Sequence, residues 1–299
     1  MKPFEYSLTL VAALLVCMAA GALRLQSRQR RGIVALPALV LSAVLGFALA
    51  KVGYVLMQWN FVGRRYGVQA FLRMDPTEFC FFMGCAGVAL GMLLAAVICR
   101  RPVLRTMDAF APGLALGVAV ARMGEIFLDV AGTGAYVQNE ALQFFPVAVV
   151  NEWQEWYYAV FMLSGVCALA VAAVWFFRRG DEARPGLTFL RVAFYLALPQ
   201  LFCESLRVEF MRWGFVKVEQ LLCAVTAVGV IALHCKAGRR WWPLAATLGI
   251  VAGLVGVEFA LDKSGLPALP CYSVMLLLLA ALAAVEILAL RRPRTKATV

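Results

Sequence analysis

The chain has a single histidine in 299 residues, His234, and charged side chains make up only 15% of it. Soluble domains carry about 25% charged residues, so this scarcity, beside an apolar content of 63%, excludes an ordinary water-soluble globule. Acids are scarcer still: 17 Asp and Glu against 28 Lys and Arg leave a net charge of +11. A basic balance of that size could serve a nucleic acid. Here, however, the basic residues stand in short loops between apolar runs, as the positive-inside rule expects, and a nucleic-acid partner is set aside. No C-x-x-C spacing occurs among the nine cysteines. Cys17, Cys85, Cys99, Cys167, Cys203, Cys223 and Cys235 fall in or at the ends of apolar runs and read as buried core residues, not a metal site or a disulfide framework. No metal or cofactor is expected. His234, beside Cys235 and Lys236 at the end of a run, is an interfacial residue with no catalytic role implied. No duplicated half appears, which argues against a transporter.

What the chain does have is a succession of apolar runs of bilayer length. A spanning helix needs about 20 residues, and nine runs qualify: Tyr6 to Leu23, Ile33 to Met57, Phe79 to Ile98, Phe110 to Val130, Trp156 to Phe177, Leu187 to Leu206, Val218 to Leu233, Trp241 to Leu261 and Ala268 to Leu290. The expected fold is therefore all-α, a polytopic membrane protein of about nine helices. Lys2 and Ala19-Ala20-Gly21 give the first run a look of a signal peptide. Its strongest basic cluster, Arg24, Arg28, Arg30 and Arg31, follows the run, which favours an uncleaved span with the N-terminus outside. Clusters after the third, fifth, seventh and ninth runs then also lie in the cytoplasm, with the C-terminus. Two loops break the pattern and place Arg64, Arg65 and Arg73, and Arg207, Arg212 and Lys217, outside. Residues 131–151 hold no base and an apolar piece, Phe144 to Val150, too short to span; an outside loop with a membrane-dipping portion is expected.

Charges inside the spans point to function. Each costs at least about 2.5 kcal/mol on insertion scales and needs a partner charge, a water-filled cavity or an anionic ligand. Arg122 and Glu125 are three apart, on one helix face. Glu204 and Arg207 repeat the spacing, and Lys51 adds a cation in the second span. One reading is a set of neutralised pairs holding helices in register. The other is a polar cavity for an anionic headgroup, in which arginine makes bidentate phosphate contacts and Gln200 and Gln220 assist.

These residues resemble the bacterial prolipoprotein diacylglyceryl transferases along most of the chain. Asp108-Ala109-Phe110-Ala111-Pro112 and Ala121-Arg122-Met123-Gly124-Glu125-Ile126 resemble the family's D-x-x-A-P and G-R-x-G-N-F-x-N-x-E. Tyr6 is similar to the tyrosine of its first span, and Lys51-Val52-Gly53-Tyr54-Val55-Leu56 to R-x-G-Y-V-L. Asp75-Pro76 resembles a loop D-P, Gly87 and Gly91 match glycines of the third span, and Asn151-Glu152-Trp153-Gln154 resembles H-P-x-Q. Gln200-Leu201-Phe202-Cys203-Glu204-Ser205-Leu206-Arg207 and Gln220-Leu221-Leu222 resemble R-F-x-x-E-x-x-R and G-Q-x-L-S. The chain departs from these patterns at Ala86, where H-G-G has its histidine, at Gln200 for an arginine, at Glu125 for an asparagine, and at Val130 for a glutamate beside Asp129.

The resemblance implies a seven-helix core over residues 1–240 and an appended two-helix segment, 241–299. It implies a bacterial inner-membrane enzyme that moves a diacylglyceryl group from phosphatidylglycerol to the lipobox cysteine thiol of a prolipoprotein, with membrane lipids around it. Arg122, Glu204 and Asp129 would be catalytic. Tyr6, Lys51, Glu125, Gln154, Gln200, Arg207 and Gln220 would bind substrate. The alternative is a divergent relative that binds anionic lipid or lipopeptide without turnover, or with altered specificity.

Overall fold

The computed structural model describes residues 3–29, 32–75, 77–128, 132–178, 184–208, 211–213, 216–238, 241–263 and 267–290. The first helices are α1 (Pro3–Gln29) and α2 (Ala35–Met57). Short turns follow at Trp59–Gly63, Arg64–Tyr66 (α3) and Gly67–Phe71, then α4 (Phe81–Ile98) and α5 (Val103–Met123), which tightens into a 3-10 turn over Gly124–Leu128. After β1 (Ala148–Val150) and β2 (Trp156–Tyr158) come α6 (Val160–Phe177) and α7 (Leu187–Leu206). The two-residue strands β3 (Arg212–Trp213) and β4 (Val216–Lys217) lead to α8 (Val218–Gly238), α9 (Trp242–Lys263) and α10 (Ala268–Leu290). Among the described residues, nine helices are long and apolar enough to cross a bilayer. The protein is an all-α multi-pass membrane protein.

The chain forms two compact units, 1–222 and 223–299, divided within α8. In the first unit α5 is buried along most of its length and packs against α1, α4, α6 and α7, while α2 packs against α4. Its sequence is suited to that place. In a bilayer, helix association rests on close backbone approach, because lipid tails are as apolar as leucine, and α5 presents Gly113 and Gly117 to the Cys17 and Ala13 carbonyls of α1. Gly87 of α4 lies so close to the Leu45 backbone of α2 that a Cβ there would meet its carbonyl oxygen. Phe110, Met92, Leu25 and Val34 fill the core beside these contacts.

Polar groups close the helix ends. The buried Asp108 carboxylate accepts from the Gly186 N–H at 2.6 Å and the Phe189 N–H at 2.8 Å, capping the N-terminus of α7 from α5. Lys217 reaches the last turn of α7, donating to the carbonyls of Glu204 at 3.3 Å and Ser205 at 3.4 Å. The basic residue that stood out as an outside exception thus meets the negative end of a helix dipole.

The segment between α5 and α6 differs from its sequence reading. Ala148–Val150 pairs antiparallel with Trp156–Tyr158, Val150 opposite Trp156, so the apolar piece read as membrane-dipping ends in a hairpin and the fifth span begins at Val160, after Trp156. Asn151 sets the turn: its Oδ1 accepts from the Trp153 and Glu155 N–H groups, and its Nδ2 donates to Glu155. Such side-chain turns divert the backbone from a helix. In the second unit α9 packs on α10, and α10 buries Met275, Leu282 and Glu286.

Candidate functional site

Arg122 stands in the last turn of α5, and the helix tightens directly after it. At three residues per turn, positions i and i+3 eclipse in a 3-10 helix, so Glu125 is carried over the guanidinium and Arg122 Nη1 meets Glu125 Oε1 at 2.5 Å. Arg122 Nη2 meets Glu219 Oε2, from the first turn of α8, at 2.8 Å. The guanidinium also stacks on Phe81, 3.8 Å from the ring centroid. With 2% of its side chain exposed, Arg122 is held on all these sides.

Arg207, just past α7, completes the cluster. Its Nη2 lies 2.7 Å from Glu125 Oε2, and its Nη1 lies 3.4 Å from Glu204 Oε1. Glu204 is the least compensated acid, since its other guanidinium contact, to Arg122, is 3.9 Å. Gln200 Nε2 donates to it at 2.5 Å, and Gln200 Oε1 in turn accepts from Ser164 Oγ at 2.8 Å. Glu219 does more than pair with Arg122. Its Oε1 accepts from the Phe81 and Phe82 N–H groups at 3.1 and 3.4 Å, so it also caps α4. Gly132, at φ +85°, packs where any Cβ would meet the Glu125 carboxylate, which only glycine allows.

The two arginines and three glutamates line a cavity of about 1030 Å³. Its charged lining is Arg122, Glu125, Glu204, Arg207 and Glu219; Tyr6 and Gln58 add polar groups, and most of the remaining wall is apolar, from Leu10, Leu14, Phe47, Phe81, Val88 and Leu114 among others. Within the two arginines, the Nε atoms of Arg122 and Arg207 are buried without a hydrogen-bond partner and closed to the cavity. Buried donors in that condition cost about 1–3 kcal/mol each.

The sequence-derived residues divide accordingly. Tyr6, Arg122, Glu125, Glu204 and Arg207 line the cavity together, and Gln200 stands behind Glu204. Gln220 Nε2 donates to the Leu201 carbonyl at 3.4 Å and is not part of the lining. Lys51 belongs to a separate cluster. Its Nζ pairs with Glu78 at 2.9 Å and faces the Phe79 ring at 5.1 Å, and Arg73 Nε shares Glu78 at 3.2 Å. Gln154 is exposed in the hairpin turn, at φ +63°, and is not brought to the cavity. Asp129 lies outside the described residues. Sequence reasoning missed Glu219 and Glu78. Glu219 had a signal, as it directly precedes Gln220 at the glycine position of the resembled G-Q-x-L-S. Glu78, in a loop, had none.

A buried guanidinium–carboxylate cluster thus lines a mostly apolar cavity in a multi-pass membrane protein. The chain belongs to the prolipoprotein diacylglyceryl transferase family, whose sequence pattern matches residues 4–236; it is a transferase of lipoprotein biogenesis. Three relatives, each named phosphatidylglycerol--prolipoprotein diacylglyceryl transferase, illustrate the distance. The one from Listeria monocytogenes serotype 4b (strain CLIP80459) is 22% identical over 190 residues, 61% of this chain and 68% of the relative. That from Gloeobacter violaceus is 28% identical over 214 residues, 65% and 75% of the two chains. That from Prochlorococcus marinus (strain NATL1A) is 25% identical over 250 residues, 78% of each.

Proposed function

We propose that the protein transfers a diacylglyceryl group from phosphatidylglycerol to the lipobox cysteine thiol of a prolipoprotein, in the bacterial inner membrane. The observation that carries this reading is the pair of buried guanidiniums, Arg122 and Arg207, among the lining residues of a mostly apolar cavity. Guanidinium groups suit a phosphodiester, while the apolar wall takes the acyl chains.

In the reaction the cysteine sulfur attacks the glyceryl carbon that bears the phosphate ester. The C–S bond forms, the C–O bond breaks, and glycerol phosphate leaves with one more negative charge than the lipid phosphate had. Guanidiniums aimed at that developing charge stabilise it, an effect worth about 3–4 kcal/mol per donor in comparable sites. The thiol has an ordinary pKa of about 8.5 and reacts as thiolate, so its proton must go to a base. Glu204 is the acid in the cluster with charge to spare; Asp129 is the second candidate. Tyr6 contributes a hydroxyl, Gln200 orients Glu204, and Glu125 aligns both arginines. Lys51, Gln154 and Gln220 act on substrate only if it extends beyond the cavity lining. Residues 1–240 form the catalytic core, in line with the family match ending at residue 236, with the N-terminus outside and residues 241–299 appended.

The test is to incubate the purified protein with phosphatidylglycerol vesicles and a lipobox peptide and to look for thioether-linked product by mass spectrometry. Product is expected, and Arg122→Ala should abolish it. No product, with lipid binding unchanged by Arg122→Ala, overturns the reading. One observation favours the alternative of a lipid-binding relative without turnover: carboxylates already occupy the terminal nitrogens of both arginines. Lipid retention without product would identify it.

A further inference from the structure

Residues 58–74, which follow α2, hold three arginines, Arg64, Arg65 and Arg73, and no acid. They form the first of the two loops that break the charge pattern, and the cluster around Arg122 makes no use of them. The segment is a built element. Val62 and Ala70 are buried with Val55 of α2, and Tyr54, Tyr66 and Phe71 pack against them. Glu78 fastens its far end to α2, pairing with Arg73 at 3.2 Å and with Lys51 at 2.9 Å. What this packing leaves outside is amphipathic: Phe61, Val68, Leu72 and Met74 are exposed, and so are Arg64 and Arg65. The charges nearby are Lys51 and the three arginines against Asp75 and Glu78. Glu78 is taken by Lys51 and Arg73, and Asp75 Oδ1 accepts from the N–H and hydroxyl of Thr77. Arg65 and Arg73 face the one Tyr66 ring, at 5.3 and 4.0 Å from its centroid. Among the described residues no carboxylate pairs with Arg64 or Arg65. Phe61 and Met74 are at once exposed and part of the cavity wall, so an amphiphile held on this surface borders the cavity.

We infer that this segment is a docking surface for the anionic phospholipids of the bilayer, and that it gathers the phosphatidylglycerol donor beside the cavity. Its exposed aromatic and aliphatic side chains suit the boundary between headgroups and acyl chains. The charges of Arg64 and Arg65, with no acid of the protein to neutralise them, then lie among headgroup phosphates. A zwitterionic lipid brings its own cation to the same place, so the net-anionic lipid is favoured. At a membrane surface each basic residue is worth about a fivefold change in occupancy, and the attraction fades beyond the Debye length, about 8 Å at physiological salt. The inference rests on the transferase reading for which lipid is consumed, and not for which lipid is gathered.

The experiment uses the full chain in phosphatidylcholine nanodiscs with phosphatidylglycerol as the minor lipid and identical acyl chains. Native mass spectrometry of the lipid that stays bound should show phosphatidylglycerol enriched. The double variant Arg64→Gln/Arg65→Gln should lower that enrichment by about fivefold for each arginine, and Arg64→Lys/Arg65→Lys should restore it, since the ammonium carries the same charge. In the lipobox-peptide assay the glutamine variant should need correspondingly more phosphatidylglycerol for half-maximal rate and keep its maximal rate. Added salt should erode the advantage of the unaltered protein and leave the glutamine variant as it was. Enrichment unchanged in the glutamine variant overturns the inference. So does a higher demand for peptide instead of lipid, which would give the surface to an acidic peptide. Product formed from phosphatidylglycerol leaves the transferase reading standing in either case. If no product forms with any variant the transferase reading fails, and the retained-lipid ratio still decides the docking surface.

Discussion

At the scale of single residues, Arg122 carries the most structural weight. It pairs with acids from its own 3-10 turn and from α8 and stacks on α4, so removing it strands Glu219 and half of Glu125. Breaking a buried pair in this way costs about 3–5 kcal/mol; Arg122→Ala should therefore lower the thermal stability measured in detergent as well as abolish transfer. Glu204→Gln separates charge from shape. The amide keeps a hydrogen-bonding group toward Gln200 and Arg207 but cannot take a proton. Transfer should fall about 10²-fold or more, the range of general-base loss, with the melting temperature little changed. A variant that keeps full activity removes Glu204 from the mechanism.

Helix ends are tied to neighbouring elements by side chains. Glu219 caps α4, Asp108 caps α7, and Lys217 closes the far end of α7. Each ties one element to another through backbone groups that bilayer hydrocarbon cannot satisfy. Asp108→Ala leaves the Gly186 and Phe189 N–H groups without their acceptor; loss of a cap costs about 1–2 kcal/mol. A lower melting temperature is expected, with substrate affinity in the surviving fold unchanged, because Asp108 is outside the cavity lining. Close helix contact makes a second demand. Gly87→Leu places a side chain on the Leu45 carbonyl and should separate α2 from α4, which reads out as loss of folded protein on size-exclusion chromatography.

For the whole molecule, the expectation concerns the last two helices. If residues 1–240 are the catalytic core, a chain ending at residue 240 should insert and retain transfer within a few-fold of the full protein in the lipobox assay. Loss of transfer from a folded truncated chain would assign α9 and α10 to the core. The family match, which stops at residue 236, supports the first outcome.

Span number and helix identity were legible in the sequence because burial in lipid demands long uninterrupted apolar runs, and each of the nine runs became a helix. The same holds for Arg122 with Glu125 and for Glu204 with Arg207, since a charge inside an apolar run is conspicuous and a three-residue spacing fixes a shared face. Tertiary structure alone decided which charges meet. Lys51 left the cluster for Glu78, Gln154 stayed exposed in the hairpin turn, and Glu219, one of several acids in the sequence, came 97 residues along the chain to Arg122. Pairing across helices depends on how α5, α7 and the first turn of α8 are rotated and packed, and hydropathy does not encode rotation. That packing also brought Glu125 between two arginines from different helices.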